Sequence, residues 1–486
     1  MLDQRNLILA IVLSLAILLG FQFFFVEPQM QQELAQQQAA EQQAAGQPVT
    51  GQTTSATPPT SESLGAPTPP GTPGEGALPV SPEIARTDVL AQAPRIEIET
   101  PTLRGSISLA GGRIDDLILT QYRETLDENS DQIVLLSPPG AANPYFVDYG
   151  WTTTARDLRV PNAESVWRTN DNVLFPGRPV RLTWDNGQGL RFERIYEIDE
   201  NYLFTVTQRV ANNGTATVTL SPYGLISRTG TPDILGFYIL HEGPLGVFDG
   251  TLDEVDYSDL QDDGLVQTDT TGGWIGITDK YWLVALVPDQ DKPVSTRFLH
   301  DAKSGVDKYQ ADYLYQDVTI QPGRTAESTS RLFAGAKVVK VLDDYRDNLG
   351  IVNFDLSVDF GWFYFLTKPL FYALSYLTQM VGNFGVGILI LTVGIKLVFF
   401  PLANKSYGAM AKMRKLQPEM LKLRERFGDD KQRLNQEMMA LYKKEGTNPA
   451  SGCLPIVVQI PVFFALYKVM FVTIEMRHAP FFGWIQ

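Results

Sequence analysis

The feature that most constrains this chain is an apolar stretch from Phe384 to Leu402, FGVGILILTVGIKLVFFPL. About 20 apolar residues are enough to cross the roughly 30 Å hydrocarbon core of a bilayer as a helix. The stretch therefore predicts a membrane span, yet it contains Lys396. A central lysine costs roughly 2.5–3.5 kcal/mol on insertion scales, so it needs a partner, a water-filled cavity or an escape to the interface.

Two interpretations of Lys396 follow from the residues alone. It lies six residues before Leu402, and six residues of helix rise by about 9 Å, so the lysine stem could carry its charge to the nearer membrane surface. It could equally face a hydrophilic cavity inside the membrane. The residues favour neither interpretation over the other.

The amino-terminal region predicts an anchor followed by a disordered tether. An apolar run from Asn6 to Val26 follows Arg5 and ends in aromatic residues without a small-residue cleavage site, which favours an uncleaved anchor over a signal peptide. Gln29 to Pro82 is rich in Gln, Ala, Pro and Thr and has almost no large apolar residues, so it cannot recover the entropy lost on ordering. A partner-binding polyproline segment is the alternative.

Between the tether and the apolar stretch, the chain predicts a large antiparallel β-domain. Short runs with period-two alternation, such as Tyr202 to Val210 and Ala216 to Leu220, are separated by Gly, Asn, Asp and Pro. About 250 residues of this pattern suggest one large sandwich rather than several small domains. A helix is then expected at Ala336 to Leu349.

A membrane-surface helix is expected within Asp359 to Gly382, because the segment is amphipathic and carries interface-preferring aromatic residues. A spanning helix is less favoured because Lys368-Pro369 divides the run. The predicted apolar face includes Leu370, Leu374, Leu377 and Val381.

The only basic region of this acidic chain follows the stretch with Lys396. Residues 403–450 contain 11 Lys+Arg against 6 Asp+Glu, a net charge of +5 in a chain of −15. A short basic loop between two apolar segments is typical of the cytoplasmic side, so the β-domain is expected on the periplasmic face and the amino terminus inside. Within the loop, apolar residues at helical spacing flank Gly428, with Asp429 as the expected N-cap of a second arm, and Pro418 is expected to kink the first arm. We therefore predict an antiparallel helical hairpin.

The third predicted span, Cys453 to Ile474, contains polar and kinking residues. Pro455, Pro461 and Gln459 are tolerated in lipid if neighbouring helices or waters satisfy the freed backbone groups. The prolines could be ordinary kinks, and Gln459 could form an interhelical hydrogen bond. Lys468 lies close enough to the outer end for its charge to reach the interface.

Composition and motifs argue against several classes of function. The single cysteine, Cys453, rules out an intrachain disulfide and is interpreted as a packing residue. The three scattered histidines argue against a zinc site, and the net charge of −15 argues against a nucleic-acid surface. The sequence has neither a GxxxxGK[ST] nor a GxSxG motif, so it shows no P-loop for a nucleotide and no nucleophile elbow of a hydrolase.

Three blocks of sequence closely resemble the YidC/Oxa family of membrane protein insertases in its Gram-negative bacterial form. They are Lys396 to Pro401, the hairpin MAKMRKLQPEM…RERFGDDKQRLNQEMMALYKKEGTNP, and GCLPIVVQIPVFFALYKV. The resemblance implies a multi-domain membrane protein, with an α-helical transmembrane bundle, a cytoplasmic helical hairpin and a large periplasmic all-β domain similar to a supersandwich. The expected segments are an N-terminal anchor (1–28), a linker (29–83), the β-domain (84–343), a linker with the interfacial helix (344–382), the second span (383–402), the hairpin (403–450), the third span (451–474) and a periplasmic segment (475–486).

The resemblance implies an insertase that inserts and helps fold inner-membrane proteins through a hydrophilic groove, alone or with the Sec translocon. The implied partners are nascent membrane proteins, the Sec translocon with its accessory subunits, the ribosome or signal recognition machinery, and membrane lipid. Cytoplasmic docking is assigned by the same resemblance to Tyr407 and Asp429. The groove residues implied for this sequence are Lys396, Thr392, Gln459, Pro455, Pro461, Ile460 and Phe463.

Two departures from the family pattern stand out. The family usually has arginine where this chain has Lys396, which keeps the charge but not the bidentate geometry. The family also continues through a second cytoplasmic loop and further spanning helices, so the sequence is expected to be a fragment that lacks the remaining walls of the insertase core.

Two other classes of function are weighed against the insertase. A supersandwich is similar to sugar-mutarotase folds, which suggests carbohydrate binding or a mutarotase-like reaction, but fold analogy alone does not support it and the sequence has no evident convergent His/Glu pair. A transporter or channel favours paired intramembrane charges or broken-helix repeats, and only one such charge is evident.

Overall fold

The computed structural model describes residues 85–482, apart from 128, 237–238, 304, 429 and 447–453. The predicted anchor and tether, as well as Asp429 and Cys453, lie outside the described residues. Within the described part, strands occupy residues 95–336, which we call the β-domain, and long helices follow from residue 339. Two short helices also occur, α1 (Arg86–Leu90) before the first strand and α2 (Tyr257–Asp263) within the β-domain.

The β-domain is built from two large sheets. The described strands are β1 (Arg95–Glu99), β2 (Leu103–Ser108), β3 (Ile114–Arg123), β4 (Gln132–Leu136), β5 (Tyr145–Thr152), β6 (Arg168–Thr169), β7 (Val173–Leu174), β8 (Val180–Asp185), β9 (Leu190–Ile198), β10 (Leu203–Asn212), β11 (Val218–Thr229), β12 (Gly243–Phe248), β13 (Thr251–Glu254), β14 (Leu265–Thr271), β15 (Trp274–Thr278), β16 (Trp282–Val287), β17 (Pro293–Asp301), β18 (Lys308–Tyr315), β19 (Val318–Ile320) and β20 (Thr325–Ala336).

The strand order explains why the domain is a single unit. One sheet runs β14-β17-β18-β11-β5-β3-β2-β1-β7, with β19 on β11 and β4 on β3. The other runs β13-β12-β15-β16-β20-β10-β9-β8-β6. The strand pairs are antiparallel, as in β10 with β9 and β20, whereas β1 and β7 pair in parallel. Non-consecutive neighbours in both sheets tie distant parts of the chain together.

Alternation along the strands places one face of each sheet in a shared apolar core. In β9, every second residue from Leu190 to Ile198 is buried, as the period of two requires. The core includes Tyr149 and Phe298 from one sheet and Tyr196 and Phe333 from the other. The predicted large antiparallel β-domain is confirmed.

Five longer helices complete the described chain, together with two short 3-10 segments, Phe354–Ser357 and Ile474–Met476. Among the described residues, α5 and the part of α7 from Pro455 to Val472 are long and apolar enough to span a membrane. The longer helices are α3 (Val339–Leu349), α4 (Tyr364–Val381), α5 (Phe384–Phe427), α6 (Lys431–Lys444) and α7 (Leu454–Val472).

Helix α4 packs on the protein through a face that includes Leu370, Leu374 and Leu377 of the predicted apolar face and adds polar residues. Its buried residues are Thr367, Lys368, Phe371 and Leu374, whereas the predicted Val381 is 41% exposed. The helix also continues through Lys368 and Pro369, where a division was expected. The physical reason is that Lys368 finds buried carboxylate partners, so hydrophobicity alone does not choose the packed face.

The span with Lys396 and the first arm of the hairpin form one helix. Gly382 ends α4 in the left-handed conformation (φ 70°), and the Asn383 side chain then accepts a hydrogen bond from the Val386 N–H at 3.1 Å. Helix α5 runs 44 residues without interruption from Phe384 to Phe427, with Pro401 and Pro418 inside it. The expected end of the span at Leu402 is therefore not a helix boundary.

Helices α5 and α6 form the predicted hairpin. Leu416 on α5 and Leu441 on α6 are buried, and the Tyr442 hydroxyl donates to the Met420 sulfur at 3.7 Å. The N-cap of α6 is one residue later than predicted, because the Asp430 carboxylate accepts from the N–H of Arg433 at 3.0 Å. The prediction of Asp429 as N-cap is wrong for this reason.

Candidate functional site

Lys396 and Thr392 lie one turn apart on α5 and therefore share a face of the helix. The Lys396 side chain is exposed, and it forms no hydrogen bond or ion pair with any other described residue. Thr392 is half-buried. Twelve residues separate Phe384 from Lys396, so the lysine lies about 18 Å along a helix that rises 1.5 Å per residue. This depth lies past the middle of a hydrocarbon core of about 30 Å.

The other predicted groove residues lie on α7, which contacts α5. Ile460 is 60% exposed and Phe463 is 59% exposed. Gln459, Pro455 and Pro461 are half-buried. In the described part of the chain, Gln459 forms no hydrogen bond with Lys396 or Thr392. The structure thus places the predicted residues on two contacting helices without linking them directly.

Of the two predicted docking residues, only Tyr407 is described. It is 68% exposed on α5, eleven residues beyond Lys396 and before the hairpin contacts at Met420. Asp429 falls outside the described residues. The Tyr407 side chain is therefore available for contact with another molecule.

Lys468 connects α7 to the β-domain, and the sequence did not predict this contact. The residue is 2% exposed, and its Nζ donates to the Asp359 carboxylate at 2.7 Å, to the Asp359 carbonyl at 3.0 Å and to the carbonyl of Ile239. The expectation that Lys468 reaches the membrane interface is wrong, because a carboxylate and two carbonyls receive its charge inside the protein. The sequence feature that could have indicated this contact is Asp359, an acidic residue five positions before the start of α4.

A second buried ion network fastens α4 to the segment that leaves the β-domain. The Lys368 Nζ donates to Asp343 of α3 at 2.7 Å and to Asp355 of the 3-10 segment at 2.6 Å. The Tyr372 hydroxyl donates to Asp343, and Arg346 forms an ion pair with Asp355 at 2.8 Å. No local pattern in the sequence pairs Lys368 with Asp343 and Asp355, because these contacts depend on how the chain between residues 343 and 368 folds back.

The pKa directions in this network follow from its contacts. Burial opposes the charged form of Lys368, but hydrogen bonds to Asp343, Asp355 and Tyr364 outweigh it and raise the Lys368 pKa above its ordinary value. Burial likewise opposes charge on Asp355, yet the hydrogen bonds from Lys368 and Tyr364 hold the Asp355 pKa below its ordinary range. Both groups are therefore charged near neutral pH.

Lys337 shows what burial does without such a partner. Its Nζ donates to the Thr278 hydroxyl at 2.8 Å, and no described carboxylate lies within ion-pair distance. Burial lowers the Lys337 pKa to about 8, against the weaker opposing influence of Asp279, Asp359 and other acidic groups. Burial also raises the pKa of the nearby Glu254 carboxyl.

The fold and these contacts define a class of protein: a membrane protein in which a large β-domain is followed by helices, two of them able to span a bilayer, and buried lysines hold α4 and α7 to the β-domain and the segment that leaves it. Comparison with known proteins gives the family. Residues 95–373 match the YidC periplasmic domain, and residues 376–486 match the 60Kd inner membrane protein family. A membrane protein insertase YidC from Methylorubrum extorquens (strain PA1) is 47% identical over 501 residues, which cover all of this chain and 79% of the relative.

The chain belongs to the YidC family of membrane protein insertases. It is thus an insertase rather than an enzyme, and the family assignment does not favour the carbohydrate-binding alternative.

Two solved structures align with the chain at low similarity. An active YidC insertase with its first transmembrane domain resolved aligns with a TM-score of 0.31 and 17% identity, over 80% of this chain and 74% of that one. A galactose mutarotase related enzyme from Lactobacillus acidophilus aligns with a TM-score of 0.36 and 11% identity, over 49% of this chain and 97% of that one.

Proposed function

We propose that insertion proceeds through a hydrophilic groove between α5 and α7, with Lys396 as its charge. The observation that carries this proposal is that Lys396, inside an apolar stretch, is exposed and has no partner among the described residues. Leaving such a charge in lipid costs roughly 2.5–3.5 kcal/mol, whereas water in a groove hydrates it. The charge then attracts acidic residues on the extracytoplasmic tail of an incoming protein, and groove water shortens the apolar distance that the tail crosses.

The remaining groove residues have separate roles in this proposal. Thr392 and Gln459 contribute polar groups to the wall, and Pro455 and Pro461 shape the backbone of α7. Ile460 and Phe463 form the lipid-facing path along which the apolar segment of the substrate leaves. Their exposed fractions of 60% and 59% leave them free to contact that segment.

We infer that the protein is a multi-pass protein of the bacterial inner membrane, with the amino terminus and the α5–α6 hairpin in the cytoplasm and the β-domain in the periplasm. The net charge of +5 over residues 403–450, between two apolar segments, supports this orientation. Residues 95–373 match a family described as the YidC periplasmic domain, and this description agrees with the proposed orientation.

We further infer that the hairpin is where the cytoplasmic partners dock. Its residues Tyr407 and Asp429 contact the ribosome or signal recognition machinery in this proposal, and the basic side chains also approach anionic lipid. On the periplasmic side, the β-domain acts as a scaffold that contacts the Sec translocon and its accessory subunits. The substrates are nascent membrane proteins, and no cofactor takes part.

A depletion experiment tests the groove. Cells depleted of the natural insertase receive the full-length protein with Lys396→Ala, Lys396→Arg or Lys396→Glu, and insertion of a small membrane protein with an acidic tail is followed by protease protection. Lys396→Glu is expected to reduce insertion roughly tenfold or more, because repulsion replaces attraction and about 1.4 kcal/mol corresponds to a factor of ten.

Lys303→Glu provides the matched control, since Lys303 is an exposed lysine of the β-domain. The same charge change there is expected to leave insertion unchanged. If the Lys396→Glu protein accumulates normally and inserts the substrate as well as the Lys303→Glu protein, the groove mechanism is wrong.

A further inference from the structure

A cavity of about 440 Å³ lies between the β3–β4 hairpin and the segment that follows α7. Its volume falls in the range of roughly 300–1,000 Å³ that is usual for small-ligand sites. Two arginines, Arg123 and Arg477, and one histidine, His478, line it together with polar and apolar residues, and no described carboxylate does so. The described acidic residues of the hairpin loop, Glu124, Asp127 and Asp131, are exposed and do not line it. The cavity therefore has the charge of an anion site.

The cavity lies beside the ends of both candidate spans. Helix α7 ends at Val472, five residues before Arg477. Helix α5 begins directly after Asn383, whose side-chain amide donates to the carbonyls of Pro480 at 3.3 Å and Phe481 at 2.9 Å. If the two helices cross the bilayer as proposed above, on which this step rests, the cavity lies at the outer membrane surface, at the depth of lipid headgroups.

Arg477 is held in place before any ligand binds. Its guanidinium donates to the carbonyls of Arg123 at 2.7 Å and Glu124 at 3.2 Å, and it stacks on the rings of Tyr281 and Trp282 at 5.8 and 5.6 Å. These contacts use two of the five N–H donors of an arginine and leave its charge unneutralised. No carboxylate among the described residues forms an ion pair with Arg477. A fixed guanidinium with free donors suits the oxygens of a phosphate group.

Arg123 and His478 complete the positive surface. Arg123 donates to the Ser130 carbonyl at 2.5 Å and, within the described chain, likewise has no carboxylate partner. The His478 pKa is lowered by partial burial and by the charge of Arg477, which is the direction expected in a positive potential. Leu126, 52% exposed on the cavity wall, adds an apolar contact that a free anion does not need but a lipid does.

We propose that this cavity binds the phosphate group of a phospholipid headgroup in the outer leaflet. Arg477 and Arg123 donate to the phosphate oxygens, and Leu126 lies against the apolar part of the same lipid. Inorganic phosphate shares the headgroup chemistry without the apolar part, so it serves as the second arm of the test. The bound lipid joins the β-domain to the membrane surface beside α5 and α7.

Histidine NMR of the full chain tests this proposal, because the sequence has only three histidines and His478→Gln assigns the third signal. The His478 pKa is compared between nanodiscs that contain phosphatidylglycerol and a neutral detergent. Binding is expected to raise the pKa by about half a unit or more, because a nearby anion favours the imidazolium. Arg123→Gln is expected to remove this difference while leaving the contacts of Arg477 with the backbone carbonyls in place.

Arg209→Gln is the control, since Arg209 is an arginine of β10 that is ion-paired with Glu327 at 2.5 Å, and it should keep the full difference. Circular dichroism verifies that each variant is folded. No pKa difference in the wild type overturns the proposal. If the pKa difference of His478 is as large in Arg123→Gln as in the wild type, the proposal is also overturned. In that case the surface potential of the bilayer alone accounts for the shift.

Millimolar inorganic phosphate in detergent decides the source of the anion. An effect as large as that of the lipid assigns the cavity to small anions and overturns the lipid proposal, whereas a small effect supports it. The insertion assay of Lys396 variants is a separate readout, so failure of the groove and failure of this site are distinguishable.

Discussion

Two lysines on the two candidate spans have opposite surroundings. Lys468 on α7 is 2% exposed, and its ammonium contacts the carboxylate and carbonyl of Asp359 and the carbonyl of Ile239. Lys396 on α5 is exposed and has no partner among the described residues. The same residue type thus joins two parts of the structure in one place and leaves a charge without a described partner in the other.

Two buried lysines at the base of the β-domain extend the comparison. Lys368 contacts two carboxylates and its pKa is raised, whereas Lys337 contacts a hydroxyl and burial lowers its pKa to about 8. Burial alone disfavours the charge, and contact with a carboxylate reverses the balance. Asp343 and Asp355 therefore keep Lys368 charged inside the protein, whereas Lys337 is buried without a carboxylate partner among the described residues.

The largest expected effect comes from removing the charge of Lys468. Lys468→Met leaves the Asp359 carboxylate without its cation, and breaking a buried pair costs about 3–5 kcal/mol. Because the Asp359 side chain is 21% exposed, we expect the lower end, about 3 kcal/mol, in denaturant titration of the detergent-solubilised protein. Lys396→Met is expected to change stability by less than about 0.5 kcal/mol.

The exchanged pair, Lys468→Asp with Asp359→Lys, serves as the control and should recover part of the lost stability. Equal destabilisation by Lys468→Met and Lys396→Met contradicts the comparison, since it means that Lys396 also has a structural partner.

The buried Lys337 predicts a rise of stability with pH. Its folded pKa of about 8 lies below the ordinary 10.5, so between these values the unfolded chain binds more protons and the folded state gains stability as the pH rises. The full gain is about 3 kcal/mol, since one pKa unit corresponds to about 1.4 kcal/mol. The measurement is the difference between the wild type and Lys337→Met in unfolding experiments from pH 7 to 11.

Because Lys337→Met has no charge to lose, that variant should be more stable than the wild type below pH 8, and the difference should shrink above it. A difference that does not depend on pH argues that the lysine finds another partner for its charge.

A smaller effect is expected from Asp355→Asn in the network of Lys368. Hydrogen bonds to charged groups contribute about 1.5–3 kcal/mol, and Asp343 still holds the ammonium in this variant, so we expect about 1.5 kcal/mol at neutral pH. Since the folded pKa of Asp355 is lowered, this contribution is present above the unfolded value of about 3.9 and is lost as the pH falls through the folded pKa. Acid titration of unfolding in both proteins measures it.

Asp347→Asn is the matched control, because Asp347 is an exposed carboxylate that contacts Arg346 at 2.8 Å and not Lys368. It should leave the stability unchanged. A loss as large as that of Asp355→Asn means that the network is held by Arg346 rather than by Lys368.

The smallest effect is expected from Lys396→Arg. If the charge of Lys396 acts through water in a groove, arginine replaces it with insertion changed by no more than about twofold, since charge matters more than bidentate geometry there. Protease protection of the acidic-tailed substrate provides the measurement. If Lys396→Arg loses as much insertion activity as Lys396→Glu, the Lys396 ammonium makes a specific contact, and its role is not purely electrostatic.

Local pattern was enough for the parts of this protein that depend on hydrophobic periodicity. Alternation of period two gave the antiparallel β-domain, and apolar residues at helical spacing gave the α5–α6 hairpin, since each signal is contained in a few neighbouring residues. The apolar stretch and the unusual Lys396 inside it are also evident from the sequence. The boundaries were less certain: α5 continues past Leu402 although Pro401 lies inside it and removes one backbone hydrogen-bond donor.

The sequence by itself determined which segments are sheet and hairpin, which are apolar enough to span a membrane, and that a lysine lies inside one of the latter. Only the tertiary structure decided what the other lysines do. Lys468 and Asp359 are 109 residues apart, and Lys368 chooses its face of α4 through Asp343, 25 residues earlier. Such pairs depend on how the β-domain packs against the helices. A charged side chain can be buried where the fold places an opposite charge within ion-pair distance, whatever the hydropathy of its neighbours in sequence.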